Sequence, residues 1–169
     1  MGVGCESCHG AGSAHIEAMV IPGNKDTKLE DLAKIGGAKM NTLCGKCHRS
    51  AEVVQKMPPE QRASQRFFVY GISMSKCFQK SDDHLSCSTC HNPHENPSTD
   101  TKLYERRCLQ CHSKIQSSTK DSIYRPLNPV ICKVNAISEC IGCHMPKRNA
   151  FPGTTLPISM ADHWIKIVK

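Results

Sequence analysis

The chain has 169 residues, 38% of them hydrophobic and 22% charged, and carries a formal charge of +7 at pH 7. A chain this small and polar supports one domain with a thin apolar core of its own. No apolar run approaches the roughly 18 residues of a membrane-spanning helix, which excludes an integral membrane segment, and the N-terminus lacks the charged-then-apolar layout of a secretion signal.

In chain order, Cys5-Glu-Ser-Cys8-His9 comes first. The same pentapeptide pattern, Cys-x-x-Cys-His, returns at Cys44 to His48 (through Cys47), Cys87 to His91 (through Cys90), Cys108 to His112 (through Cys111) and Cys140 to His144 (through Cys143). The residue frequencies of this chain give about 0.04 such pentapeptides by chance. Between them the text predicts short helices punctuated by Gly, Pro and Asn. Gly10-Ala-Gly-Ser-Ala leads flexibly to His15. Thr27 to Lys34 reads as a helix with a stop at Gly36-Gly37. Pro58-Pro59-Glu60 opens what reads as the longest helix, running toward Tyr70 or Ser75, because Pro suits a first turn and Glu the positive dipole end. Its Phe67, Phe68 and Tyr70 form an aromatic cluster. Helices are also expected at Thr101 to Ser117 and Met160 to Val168, and Val130 to Val134 is the candidate for extended chain. Pro93, Pro97, Pro126, Pro129, Pro146 and Pro152 break the second half into loops. The pentapeptides begin at residues 5, 44, 87, 108 and 140, an uneven spacing without a fixed-length repeat. No linker of domain-separating length appears, so residues 1–169 are read as one domain.

Cys-x-x-Cys-His is the pattern of covalent haem c attachment. Two sulfurs two residues apart reach the vinyl groups on one macrocycle edge, and the adjacent His reaches the iron. Cys5, Cys8, Cys44, Cys47, Cys87, Cys90, Cys108, Cys111, Cys140 and Cys143 are therefore the thioether candidates for five haem c groups. His9, His48, His91, His112 and His144 are the proximal iron ligands. Structural zinc and a thioredoxin-like dithiol also use paired cysteines, but neither requires His after every second Cys. The expected fold is mainly α with much irregular loop, short helices wrapped around a haem core and little or no β.

Haem also changes the charge account. With propionates ionised, each group brings roughly −1 when ferric and −2 when ferrous, so the loaded chain lies near about +2 oxidised and −3 reduced. The basic runs Tyr104 to Arg107 and Pro146 to Arg148 are accordingly read as solvated or propionate-facing, not as a nucleic-acid site.

Of nine histidines, five are proximal ligands and four remain for the distal faces: His15, His84, His94 and His163. In Cys-His91-Asn-Pro-His94 the two rings are too close in sequence to face each other across one haem, so His94 is assigned to a neighbouring iron, with Pro93 stiffening the turn. The fifth distal position stays open between three readings: Met74 or Met160 as a weaker ligand, an open iron, or a histidine from another subunit or from sequence outside this chain. Cys77 and Cys132 lie outside the pentapeptides and are candidates for a disulfide in an oxidising compartment.

Gly2-Val-Gly-Cys-Glu-Ser-Cys-His-Gly10 with His15, Ser75-Lys-Cys77, Leu85 to His94, Cys132 to Asn135, Cys140 to Lys147 and Asp162-His-Trp-Ile165 together resemble the multihaem cytochromes c related to the tetrahaem cytochrome of ammonia-oxidising bacteria. The likeness spans most of the chain, and Cys-His-x-Pro-His is its most specific part. It implies closely spaced haems, largely bis-histidine ligation, and distal roles for His15, His94 and His163.

These observations point to electron transfer through five haems, with redox proteins as partners and no nucleic acid. Two alternatives stand beside it: a homopolymer forming an extracellular wire, with a haem ligand supplied between subunits, and an oxidoreductase for a small nitrogen compound at one five-coordinate haem. Covalent haem attachment places the chain in the periplasm or outside the cell. The first haem cysteine follows only four residues, so the chain is expected to be mature, truncated or a fragment.

Overall fold

The computed structural model describes residues 2–62, 66–113, 130–135, 137–151 and 153–167. The chain divides into two compact units, residues 1–35 and 36–169.

In the first unit, α1 (Glu6–His9) and α2 (Ser13–Met19) are followed by a 3-10 turn, Leu32–Lys34. Gly10 turns the chain between the helices at φ 79°, a conformation that favours glycine. The Glu6 carboxylate receives the Gly12 N–H at 2.5 Å across this bend. A strap of residues 24–30 then returns to the helices. Asn24 builds its start by donating from Nδ2 to the carbonyls of Ala18 (2.9 Å) and Asp26 (3.0 Å). The helix expected over 27–34 shrinks to the 3-10 turn, because Lys28 adopts φ 57° and Asp26 receives its N–H. Among this unit's described residues Ala18 is the buried hydrophobic, while Val3, Ile16 and Val20 lie open.

The second unit is built from α3 (Gly37–His48), α4 (Ala51–Gln55), α5 (Pro59–Arg62), α6 (Phe68–Ser73), α7 (Lys76–Gln79), α8 (Cys87–Cys90), α9 (Thr101–His112) and α10 (Cys140–His144). Two antiparallel strands, β1 (Lys147–Asn149) and β2 (Ser159–Ala161), close it, with Arg148 opposite Met160. Side-chain caps start several helices: Ser50 receives Val53 N–H, Asp100 receives Lys102 N–H, and Ser86 with Thr89 forms a reciprocal capping box. Helices α3 and α4 pack on α6. Their core is small: Val54, Phe67, Val69 and Ala150 are its buried hydrophobics, alongside buried Asn41, Ser75, Ser81 and Asp162.

The mainly helical expectation holds, with irregular loops between short helices. Several boundaries differ. The long helix expected from residue 58 onward is two helices, because Phe67 leaves the helical region (φ −92°, ψ 65°) to bury its ring under the Arg49 and Arg66 guanidinium groups. Residues 63–65 lie outside the described residues. The helix expected at 160–168 is replaced by β2 and irregular chain, since pairing with β1 takes the Ser159–Ala161 backbone. Helix α9 ends at His112, Ser113 is extended, and the expected continuation over 114–117 is outside the described residues. The 130–134 segment forms no strand among its described residues.

Gly36-Gly37, expected as a helix stop, instead opens α3. Gly37 N–H donates to the Asp83 carbonyl (2.7 Å) and Ala38 N–H to the Asp83 carboxylate (2.6 Å), so a distant acidic side chain caps this helix. A Cβ at Gly37 would collide with the Leu85 carbonyl, which is backbone and cannot swing away. Gly37→Ala is therefore expected to destabilise by about 1–3 kcal/mol. That corresponds to roughly 3–10 °C in Tm for a chain of this length. Gly4→Ala, with open space around it, is expected to leave Tm unchanged in the same calorimetric comparison.

Candidate functional site

Every pentapeptide sits on a short helix or at the end of one. Cys5 caps α1; Cys44, Cys47 and His48 end α3; Cys87 and Cys90 bound α8; Cys108, Cys111 and His112 end α9; and Cys140 to His144 is α10 itself. On a helix, residues three apart share a face, so each cysteine pair aims both sulfurs the same way. The helices stop at or just before the histidine: Arg49 follows His48 at φ 65°, and His91 itself is extended. Each imidazole thus projects where the chain turns away.

The ring nitrogens show a second regularity. Nδ1 faces a backbone carbonyl at His9 (Glu30, 3.0 Å), His15 (Thr27, 2.7 Å), His112 (Val130, 2.7 Å), His144 (Lys166, 2.6 Å) and His163 (Ala161, 3.0 Å). A carbonyl only accepts, so Nδ1 is the donor in each of these contacts, which in the neutral ring makes Nε2 the acceptor nitrogen. This is the second-shell pattern of metal-ligating histidines. The acceptors escape sequence reading because they are peptide groups, whose side chains carry no signal. In the first unit the strap supplies two of them, Thr27 for His15 and Glu30 for His9, and Glu30 N–H returns to the His9 carbonyl at 3.1 Å.

The second and third cysteine pairs meet through Asn41. Its Oδ1 receives both Cys87 N–H (2.9 Å) and Cys87 Sγ–H (3.1 Å). The Cys44 and Cys87 thiols interact: contact with Cys87 pulls the Cys44 thiol down to about 7, and the same contact followed by burial pushes Cys87 up. Burial raises Cys90 to about 11, partly offset by the Arg107 charge, and raises Cys108 to about 12. Among the described residues two buried side-chain polar atoms lack a partner, Asn41 Nδ2 and Gln110 Oε1, and both lie beside pentapeptide cysteines. Among the described residues no three His, Cys, Asp or Glu side chains converge to hold a metal ion.

Cys77 and Cys132 are both free thiols, and the expected disulfide between them is not formed. Cys77 is half-buried, its thiol raised by burial and close enough to Cys111 to feel its charge. Cys132 is exposed, and its thiol is lowered by the N–H groups of Asn135 and Val134.

Among the distal candidates, the structure sets His163 against His91, with ring centroids 6.2 Å apart and planes inclined by 25°. Phe68 stands 4.6 Å from His163 and 6.0 Å from His48, and Tyr104 lies 5.2 Å from His91. Burial lowers the pKa of both His91 and His163, which keeps the imidazoles neutral. His15 is half-buried in α2. His84 is exposed, just after the left-handed residues Asp82 and Asp83; His94 is exposed in a turn where its N–H donates to Asn92 Oδ1 (3.1 Å). Met74 ends α6 and Met160 lies in β2. The paired cysteines and the imidazoles with Nδ1 on a carbonyl are residues of the kind that could hold haem covalently and give nitrogen ligands to its iron.

No helix among the described residues is long and apolar enough to cross a membrane. No protein-family model matches the chain, and no curated protein or solved structure is similar to it beyond chance.

The half-buried imidazoles of His91 and His163 set the sign of the acid response. A histidine whose folded pKa lies below its unfolded value near 6.5 takes up a proton on unfolding, so the folded state is favoured above that pH and loses stability as the pH falls through it. Urea midpoints are expected to fall between pH 7.5 and 5, and His163→Ala is expected to flatten that fall.

Proposed function

We propose that this chain is a pentahaem cytochrome c that carries electrons outside the cytoplasm between redox proteins. The observation that supports this most directly is the set of five Cys-x-x-Cys-His pentapeptides, in three of which the histidine, His9, His112 or His144, has its Nδ1 held by a backbone carbonyl. Under this reading Cys5/Cys8, Cys44/Cys47, Cys87/Cys90, Cys108/Cys111 and Cys140/Cys143 form the thioethers, and His9, His48, His91, His112 and His144 are the proximal ligands. Haem c supplies a one-electron iron couple when bound. The chain's own residues would do the rest: each cysteine pair would hold one haem covalently, the carbonyl-bonded imidazoles would ligate the iron, and the half-buried setting of His91 and His163 would limit water at their rings. Histidines on both faces leave an iron no vacant position, which favours electron exchange over substrate chemistry. The resemblance to the tetrahaem cytochrome of ammonia-oxidising bacteria belongs to the same proposal, as does extracytoplasmic placement, because covalent attachment is carried out there.

The test is a haem count on protein made in a host with haem-attachment machinery. Intact mass and alkaline pyridine spectra are expected to give five haems per chain, and Cys140→Ala with Cys143→Ala to give four. Stoichiometric zinc with no haem mass would overturn the reading. A high-spin ferric signal abolished by cyanide in the unaltered protein would move the function from carrier to enzyme.

A further inference from the structure

His163 lies 19 residues after His144, and by sequence alone the fifth pentapeptide is its nearest neighbour. The structure takes the side chain elsewhere. Its ring stands 6.2 Å from that of His91, centroid to centroid, with planes inclined by 25°. Two imidazoles binding one metal from opposite sides have centroids about 6 Å apart, given metal–nitrogen bonds of roughly 2 Å and a nitrogen-to-centroid offset of about 1.1 Å. With Nδ1 of His163 committed to the Ala161 carbonyl at 3.0 Å, its Nε2 is the nitrogen left for coordination.

What delivers the ring is helix α6 and the residue after its cap. A Cβ at Gly71 would stand 3.0 Å from Trp164 N and 3.1 Å from the His163 carbonyl carbon, so glycine lets this backbone lie directly on the helix. Ser75, fully buried, accepts Ile165 N–H at 2.8 Å, and its hydroxyl faces the carbonyls of His163 (3.2 Å) and Gly71 (3.3 Å). Phe68, on the same helix, packs on the His163 ring at 4.6 Å. On the other side, Asp162 receives Trp164 N–H (3.0 Å) and meets Arg148 (3.5 Å) and Lys166 (3.2 Å). The segment then turns to the fifth pentapeptide with its backbone only: the Lys166 carbonyl accepts from His144 Nδ1 at 2.6 Å, and Lys166 N–H returns to the His144 carbonyl at 3.3 Å.

We infer that His163 is the distal ligand of the iron whose proximal ligand is His91, and that Gly71 and Ser75 are positioning residues that dock it there. The inference rests on the haem reading above. The segment from Ala161 to Lys166 then serves two centres, giving a side chain to the third and a carbonyl to the fifth.

The test uses the full haem-loaded protein, after its haems have been counted, and reads the ferric spin state by magnetic resonance. His163→Ala is expected to turn one low-spin haem of five into a high-spin one, with added imidazole restoring the low-spin signal. Two backgrounds assign it. In protein lacking the third haem (Cys87→Ala, Cys90→Ala), His163→Ala is expected to create no new high-spin haem. In protein lacking the fifth (Cys140→Ala, Cys143→Ala), it is expected to create one. The reverse pair of results, or five haems that all stay low-spin in His163→Ala, would overturn the assignment. Failure of the haem reading itself would appear earlier, as missing haem mass in the unaltered chain. Gly71→Ala is expected to convert the same haem in part, with imidazole rescue, while Ser75→Ala does so to a smaller extent; conversion of a different haem by either would overturn their positioning role.

Discussion

The site depends on which of its two nitrogens an imidazole gives to the backbone. At His9, His15, His112, His144 and His163 it is Nδ1, donated to a peptide carbonyl. One hydrogen bond selects the tautomer of the neutral ring and limits its rotation. Because a carbonyl has no donor, the alternative tautomer would place two acceptors face to face. The loops that carry Thr27, Glu30, Val130 and Lys166 therefore have a task beyond connection. They bring an acceptor to a ring 12 to 22 residues away, which accounts for the turn chemistry of the first unit: the Asn24 and Asp26 side chains brace the strap on which Thr27 and Glu30 lie.

The polypeptide core is too small to hold such loops by itself. Val54 and Ser75 are the largest fully buried side chains among the described residues, and one of them is polar. At about 25 cal/mol per Å² of apolar surface, a few valines and phenylalanines contribute little against the entropy of ordering the chain. Position is held instead by buried polar anchors: Asn41 beneath Cys87, Ser75 beneath Ile165, and Asp162 between Arg148 and Lys166. Anchors of this kind specify geometry more than they stabilise it. In the proposed holoprotein, apolar porphyrin faces would occupy the place that larger side chains fill in an ordinary core.

Much of this was legible in the residues and some was not, for reasons of distance. Cysteines three apart on a helix share a face whatever surrounds them, so the pentapeptide geometry follows from spacing. Short helices between Gly and Pro punctuation are likewise local. The failures are long-range. Phe67 breaks a helical pattern because its ring is worth more under two guanidinium groups. Met160 joins a strand because Arg148 lies opposite. Gly36 and Gly37 look like a terminator until Asp83, far along the chain, caps them. Carbonyl acceptors are invisible in principle, since every residue carries the same group. The position of His163 depends on a glycine and a serine some 90 residues earlier.

Asp83 also shows where rigidity is concentrated. Asp82 and Asp83 are both left-handed (φ 48° and 64°), a conformation that costs of order 1 kcal/mol or more per non-glycine residue. The cost is offset locally. Asp83 brings a negative charge to the N-terminus of a twelve-residue helix and satisfies two of its unpaired N–H groups. Four residues on, Cys87 closes the same junction by bonding Asn41 of that helix. A strained turn, a glycine pair without room for Cβ, and a buried amide thus tie the helix bearing Cys44 to the helix bearing Cys87. Of these groups the Asp83 carboxylate is exposed and the Asn41 amide buried. In the proposed electron carrier, these contacts would set the separation between the second and third haem sites.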